Sequence, residues 1–504
     1  MGYLLGIDIG TSGTKTALYA EGGAVACSHT VDYPLYQPVN GWAEQRPEEW
    51  WSAVVAGIRA VTSQIDKADI TGIGLSGQMH GLVMLDDAGQ VLRPAIIWCD
   101  QRTGAECEQI NQQVGQEQLL AITGNPAMTG FTAAKICWVK SHEPDIYARC
   151  RHILLPKDYI RYRLTGEFAT EVSDASGMQL LDIRSRGWSA VVLEKLGIDR
   201  RLLPEIYESA EITGRVSACA AGETGLKTGT PVAGGAGDNA AAAIGAGIVR
   251  EGSAFTTIGS SAVIYALSDA PRIDGAGRVH SLCASVPGKW TVMSCTQGAG
   301  LSLKWLRDNV CQAEVQRAQA QGQSTYGLMD RMAGEIPLGA DKLLFLPYLM
   351  GERSPHPDPD CRGVFFGLSA IHTTAHLIRA VMEGVAYSQR ECLDVFREMG
   401  VPIEAMTMVG GGSRSQLWRA ILRDMYGCPI YTLASDEGAA LGAALLAGIG
   451  TGVYADAEQA CAAVKKVGPE LPDMEKNRVY THYLSLYRKL YCSLFDSFKD
   501  LAAL

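Results

Sequence analysis

One pattern constrains this 504-residue chain more than any other: a short motif near its start recurs almost half the chain later. Asp8-Ile-Gly-Thr-Ser-Gly-Thr-Lys-Thr-Ala-Leu-Tyr19 lies beside Thr257-Ile-Gly-Ser-Ser-Ala-Val-Ile-Tyr-Ala-Leu-Ser268 at a constant offset of 249. Each copy reads as a strand, a turn of small residues and a second strand. The alternative is a chance likeness between two glycine-turn hairpins. An internal duplication predicts two related α/β domains, residues 1–248 and 249–504, facing each other across a cleft. One difference carries chemical weight: Asp8 in the first copy is Thr257 in the second, so only one turn brings a carboxylate.

Composition agrees with folded domains of this size. Hydrophobic residues make up 47% and charged residues 19%, which excludes a disordered chain and a coiled coil. The net charge of −10 argues against a nucleic-acid binder or a protein of anionic membrane surfaces, because both need a basic excess. No segment approaches the roughly 20 apolar residues of a spanning helix. The fourteen cysteines are scattered, with no Cys-x-x-Cys, as expected in a reducing compartment. The start of the chain has no basic, apolar leader pattern. These features predict a cytoplasmic protein with neither nucleic-acid nor membrane partners.

Along the chain, residues 3–9, 14–20 and 24–31 read as strands. A helix opens at Arg46-Pro47-Glu-Glu, with proline and acids at its first turn and apolar residues at helical spacing from Trp50 to Val61. A strand pair is expected at 70–75 and 82–85. Farther on come a buried strand at Leu343–Leu349, a long amphipathic helix at His376–Met399, and a strand at Ala405–Val409 leading into Gly410-Gly-Gly412. An Ala/Gly-rich helix near 436–447 implies close packing of two elements, and 475–500 reads as an aromatic helix. Runs of strands followed by helices suggest mixed sheets.

Three glycine clusters bear on chemistry. Gly10-Thr-Ser-Gly-Thr-Lys-Thr16 is one residue short of a phosphate-binding P-loop and feeds a strand rather than a helix. As a hairpin turn it offers backbone N–H groups, the hydroxyls of Thr11, Ser12 and Thr14, and Lys15 to an anion, with Asp8 beside it for a cation. Gly72-Ile-Gly-Leu-Ser-Gly77 matches the dinucleotide fingerprint, but another strand follows it, so no helix N-terminus is there for a pyrophosphate. Its glycines instead bring Gln78, Met79 and His80 to the sheet edge as candidate sugar contacts. Gly234-Gly-Ala-Gly-Asp-Asn-Ala240 runs from a strand through a turn into a helix of small residues. Asp238 there is either a helix N-cap or an unobstructed general base for a hydroxyl. His372 and His376 have i, i+4 spacing but lack the glutamate of a zinc-protease helix, so a zinc site is not expected.

Taken together, these segments resemble the FGGY family of carbohydrate kinases. The resemblance is carried by Gly6-Ile-Asp-Ile-Gly-Thr-Ser-Gly-Thr-Lys15, Ser76-Gly-Gln-Met-His-Gly81, Gly237-Asp-Asn-Ala240, Gly351-Glu-Arg-Ser-Pro-His356 and Gly410-Gly-Gly412. Gly363-Val-Phe-Phe-Gly-Leu368 followed by His376-Leu-Ile-Arg-Ala-Val-Met-Glu383 is similar to the family's C-terminal signature. The Gln-Met-His-Gly element is similar to members that act on D-xylulose rather than on glycerol, ribulose or gluconate. Cys99, Ala262 and Ala284 depart from the pattern, standing where relatives often carry Asn, Gly and His; Cys99 bears on substrate choice.

The resemblance implies two actin- and hexokinase-like (ribonuclease H-like) domains, an N-terminal one for sugar and catalysis and a C-terminal one for nucleotide. It implies transfer of a phosphoryl group from ATP to D-xylulose with Mg²⁺. Asp238 would be the general base, with Asn239, Gln78, Met79 and His80 at the sugar, and Asp8 would hold the metal. Thr11, Ser12, Thr14 and Lys15 with Gly259 and Ser260 would bind phosphates, and Gly411 and Gly412 would lie against adenine or ribose. A homodimer is compatible with it. Three other readings are distinguishable by assay: a kinase for another ketopentose or polyol, a non-catalytic sugar- and ATP-binding protein of the same fold, and a nicotinamide oxidoreductase resting on Gly410-x-Gly412.

Overall fold

The computed structural model describes residues 2–435 and 437–504. It packs into two compact units that no single cut separates. The first comprises Met1–Arg250, Leu267–Thr291 and Glu437–Lys465, and the second Glu251–Ala266, Val292–Asp436 and Lys466–Leu504. The chain first changes unit close to the expected boundary, but two later segments return to the first unit.

In the first unit, strand Tyr3–Ile9 is central. It pairs antiparallel with Gly13–Ala20, placing Asp8 opposite Lys15 and Ile9 opposite Thr14. Val25–Asp32 continues that side, while Ile70–Gly77 lies parallel on the other, followed by Pro231–Ala233 and Ile212–Arg215. Leu4, Leu5, Ile7 and Ile9 are all at most 1% exposed, as expected for a strand covered on both faces. One cover is helix Pro47–Val61, whose Trp50, Val54 and Ile58 join Leu5, Ile7, Ile73 and Leu75 in one apolar cluster.

The other cover is helix Gly438–Gly450, the small-residue helix read from the sequence. Its backbone lies so close to the sheet that a Cβ on Gly6 would stand 2.0 Å from the Ala440 carbonyl oxygen, and one on Gly74 1.8 Å from that of Ala443. The same helix approaches helix Asp238–Gly245, where a Cβ on Gly442 would meet the Ala241 carbonyl at 1.8 Å. A late segment is thereby built into the first unit. The expected strand pair at 70–75 and 82–85 does not form. Ile70–Gly77 belongs to the main sheet, and Val83–Leu85 pairs with His152–Leu154 instead.

The sheet of the second unit repeats the arrangement. Strand Gly252–Ile258 corresponds to Tyr3–Ile9 at the offset of 249, and Ala262–Ser268 follows as its antiparallel partner. Trp290–Thr296 lies outside that partner, and Ile403–Val409 and Ile430–Leu433 follow on the parallel side. Both sheets thus have the order third, second, first, then two parallel strands. The hairpins differ by one residue in register. Gly10 N–H donates to Gly13 O across the first turn, whereas Gly259 N–H donates to Ser261 O, and Ile258 faces Ala262 rather than Val263. The second turn is the tighter one. Among the described residues no helix is long and apolar enough to cross a membrane, and the fourteen cysteines are free thiols.

Candidate active site

In the first unit, three strand ends bring two carboxylates together. Asp8 pairs with Ser76, and Ser76 pairs on its other side with Ala236, two residues before Asp238. Ligands of α/β sheets collect at such carboxyl ends of parallel strands. Gly237, not Asp238, caps the following helix, so the N-cap role is taken and Asp238 is its first residue. Asn239 donates to Asp238 Oδ1 twice, from its backbone N at 2.6 Å and from Nδ2 at 2.8 Å. Burial and then the charge of Asp8 push the Asp238 carboxyl up to about 7, against the Asn239 donors. Burial also lifts Asp8 above the usual carboxylate range, opposed first by a hydrogen bond with the Ser76 hydroxyl and then by the charge of Lys15. Asp8 Oδ1 is buried, and the carboxyl forms no ion pair among the described residues.

The turn after Asp8 is held from beneath. Gln45 Nε2 donates to Thr11 O at 2.7 Å, Tyr33 OH to Gly10 O at 2.5 Å, and Gln78 Nε2 to Gln45 Oε1 at 2.8 Å. Gln78 is 1% exposed, so its amide nitrogen braces the turn. Trp98 Nε1 donates to Thr11 Oγ1 at 2.8 Å. Of the four turn side chains expected to face an anion, Ser12 is exposed. Thr14 lies on the other face from Asp8 and Lys15, fully buried, with its hydroxyl directed to Tyr33. Lys15 is paired with Glu437 at 2.9 Å. Gln45, Tyr33 and Trp98 carried no motif in the sequence and were missed by it.

His80 has a left-handed backbone, φ 67°, which is uncommon for a residue with a side chain. Its Nδ1 lies 2.9 Å from the Gly177 carbonyl oxygen, which can only accept, so Nδ1 carries the proton of that bond. Phe131 meets the imidazole edge-on at 4.5 Å between centroids, and His280 meets Phe131 in the same manner at 5.6 Å. Met79 is buried against Gly237, where a Cβ would stand 2.8 Å from Met79 Cγ. Met79, Gly237 and the Asp238–Asn239 pair are thereby contiguous.

In the second unit, Gly259, Ser260, Gly411 and Gly412 line one cavity of about 560 Å³ with Gly300, Lys304, Tyr326, Asp330 and Trp418. Gly300 N–H donates to Gly259 O at 2.8 Å and Leu301 N–H to Ser260 O at 3.0 Å, clasping the turn. Gly410 has φ 80°, and a Cβ on Gly412 would stand 2.5 Å from Ile258 Cβ. The lining residues from helices were not legible, because single positions on helix faces form no motif. His372 and His376 are both engaged: His376 closes a capping box with Thr373 and reaches Asp341 at 3.0 Å, and His372 Nδ1 accepts from Ser369 N–H.

A duplicated sheet with paired carboxylates at strand ends, and a glycine-lined cavity in its second copy, defines the class of two-domain α/β phosphotransferases. Comparison with known proteins makes this specific. The model of the FGGY family of carbohydrate kinases, N-terminal domain, matches residues 3–245, and that of its C-terminal domain matches residues 254–451. The chain is 39% identical over 491 residues to the xylulose kinase of Escherichia coli K12, covering 97% of this chain and 99% of that protein. It is 37% identical to the xylulose kinase of Bacillus subtilis 168, covering 97% of each. The crystal structure of xylulose kinase from Rhodospirillum rubrum superposes with a TM-score of 0.92 at 32% identity, covering 99% of this chain and 100% of that one. The chain belongs to the FGGY family of carbohydrate kinases, and its substrates are ATP and a sugar.

Proposed function

We propose that this kinase transfers the γ-phosphoryl group of ATP to D-xylulose, giving ADP and D-xylulose 5-phosphate. The near-full-length similarity to xylulose kinases supports the substrate, and the Asp8–Asp238 arrangement supports the chemistry. Phosphoryl transfer depends on positioning and charge neutralisation, with a base to orient the hydroxyl. A carboxyl near 7 is matched to that task at neutral pH. Asn239 occupies Oδ1 of Asp238, so Oδ2 takes the hydroxyl proton as the sugar oxygen attacks. His80 Nε2 and Asn239 contact the ketose, and Met79 walls the site.

The nucleotide is assigned to the second unit, whose cavity has the size of a small-molecule site. Ser12 and the backbone of the Thr11 turn are assigned to the phosphates. Lys15 joins them only by exchanging Glu437 for phosphate. Asp8 fits Mg²⁺: its carboxyl is buried and in no ion pair among the described residues, an anion in want of a cation. Among the described residues no three acidic, His or Cys side chains cluster into an all-protein metal site. Asp8 with waters and phosphate oxygens is the arrangement Mg²⁺ prefers, and the ion when bound neutralises phosphate charge.

The test is ADP release across pentuloses, polyols and gluconate. The highest kcat/KM is expected with D-xylulose, and a clear preference for another sugar overturns the substrate. Asp238→Asn is expected to lower turnover by about 10²–10⁴-fold with ATP affinity retained. Near-normal turnover in that variant removes Asp238 as the base, and no ADP release with any sugar leaves a binding protein of the same fold.

A further inference from the structure

We propose that Thr132 and Lys135 are positioning residues for sugar selection: they fix the backbone carbonyl of His80 and thereby aim its imidazole at the ketose. The proposal rests on the reading of His80 as a ketose contact and names what sets that contact.

The first turn of helix Thr132–His142 is bonded to His80. Three residues of its start engage His80 at three points. Phe131 packs on the ring edge, Thr132 Oγ1 donates to the His80 carbonyl oxygen at 3.1 Å, and Lys135 Nζ donates to the same oxygen at 2.8 Å. Thr132 and Lys135 are i, i+3 neighbours on one helix face, so a single rigid element delivers both donors. Lys135 also donates to Gly130 O at 2.8 Å, tying the approach to the helix into the same knot.

The arrangement answers a specific difficulty. A left-handed histidine is held only where its surroundings over-determine it, and two donors on one carbonyl fix the orientation of the peptide that follows His80. The side-chain bond to Gly177 O then fixes ring rotation. Thr132 and Lys135 are both fully buried, and burial pushes the Lys135 ammonium down to about 7. An apolar residue would fill that space at less electrostatic cost. The ammonium is used on two carbonyls and forms no ion pair among the described residues, which suits a role in geometry.

The experiment uses the full chain and compares Thr132→Val, Thr132→Ser, Lys135→Met and His80→Ala, with the first and third also built into His80→Ala. D-Xylulose KM, ATP KM, kcat and melting temperature are read for each. Lys135→Met is expected to raise the D-xylulose KM about ten- to a hundredfold, and Thr132→Val about three- to tenfold. Thr132→Ser, which keeps the hydroxyl, restores the KM, and the ATP KM stays near wild type throughout. In the His80→Ala background neither substitution adds a further effect, as expected of residues acting through His80. If His80→Ala raises the ketose KM but Thr132→Val and Lys135→Met do not, the proposal fails and His80 stands as a sugar contact. Multiplying effects in the double variants also overturn it. An unchanged ketose KM in His80→Ala removes both readings. Should Lys135→Met fail to fold, the Val/Ser pair at Thr132 decides.

Discussion

Asp8 and Asp238 flank one strand: Ser76 pairs with Asp8 on one side and with the residue two before Asp238 on the other. Their coupling is electrostatic, since the charge of Asp8 adds to burial in raising the Asp238 carboxyl to about 7. A base must be ionised to work. The kcat/KM for D-xylulose should therefore fall as pH drops through about 7. In Asp8→Asn a negative neighbour is gone, so the residual activity should fall off at lower pH than in the wild type. A pH profile flat through this range contradicts the assignment.

Gly177 is expected to be irreplaceable for the sugar and indifferent to ATP. A Cβ there would stand 2.5 Å from both Nδ1 and Cε1 of His80. The ring has no easy retreat, because Phe131 packs on it and its Nδ1 is tied to Gly177 itself. Gly177→Ala should raise the D-xylulose KM about tenfold or more, with a stability loss of about 1–3 kcal/mol from overpacking. Steady-state kinetics in both substrates checks it; an ATP KM that rises equally indicates general unfolding.

Gly412→Ala probes the nucleotide cavity in the opposite sense. The added methyl meets Ile258 Cβ and Cγ2 at 2.5 Å, neither being the tip of a flexible chain. Ile258 immediately precedes the Gly259–Ser260 turn, so the strand end must move. The ATP KM should rise severalfold while D-xylulose binding, measured calorimetrically without nucleotide, is unchanged. Wild-type ATP kinetics places the nucleotide elsewhere.

What the sequence made legible follows from range. The two hairpins were readable because each is local, and the strands start at the expected offset. Asp8, Asp238 and His80 were singled out because glycines mark the turns that carry them. Lys15 and Thr14 were read as one phosphate cluster, yet adjacent strand residues face opposite sides, and Thr14 went into the core. The return of Gly438–Gly450 to the first unit was not readable. Its small residues announced close packing, but nothing local says that Gly6 and Gly74 are what it packs against. Thr132 and Lys135 were missed for the same reason, lying 52 and 55 residues from the carbonyl they hold.

Lys157 is the cation on which three buried carboxylates converge, at 2.7 Å from Asp158 and 3.3 Å from both Glu171 and Asp174. Arg161, paired with Asp158, is the second cation of the group. Burial raises the Asp174 carboxyl well above its usual range even with Lys157 opposing it. Lys157→Met leaves the three carboxyls with Arg161 alone, which pairs with Asp158, and breaking such a buried pair typically costs about 3–5 kcal/mol. The sign of the pH dependence follows from proton binding. A carboxyl whose folded pKa exceeds its unfolded value binds more protons when folded, so it favours the folded state at low pH, and that contribution is lost as pH rises through the raised value. Removing Lys157 raises Asp174 further, so the variant should be closest to wild type at mildly acidic pH and fall behind at mildly alkaline pH. Function should follow stability only in part. Glu171 Oε1 accepts from Ser173 Oγ at 2.9 Å, and that hydroxyl accepts from Gly237 N–H at 3.3 Å, immediately before Asp238. At a temperature where the variant is fully folded, turnover should still drop more than ATP affinity. Denaturant unfolding at the two pH values and kinetics at the lower one test both parts. A variant that gains stability as pH rises overturns the electrostatic account, and one with normal turnover disconnects the buried charges from the Asp238 turn.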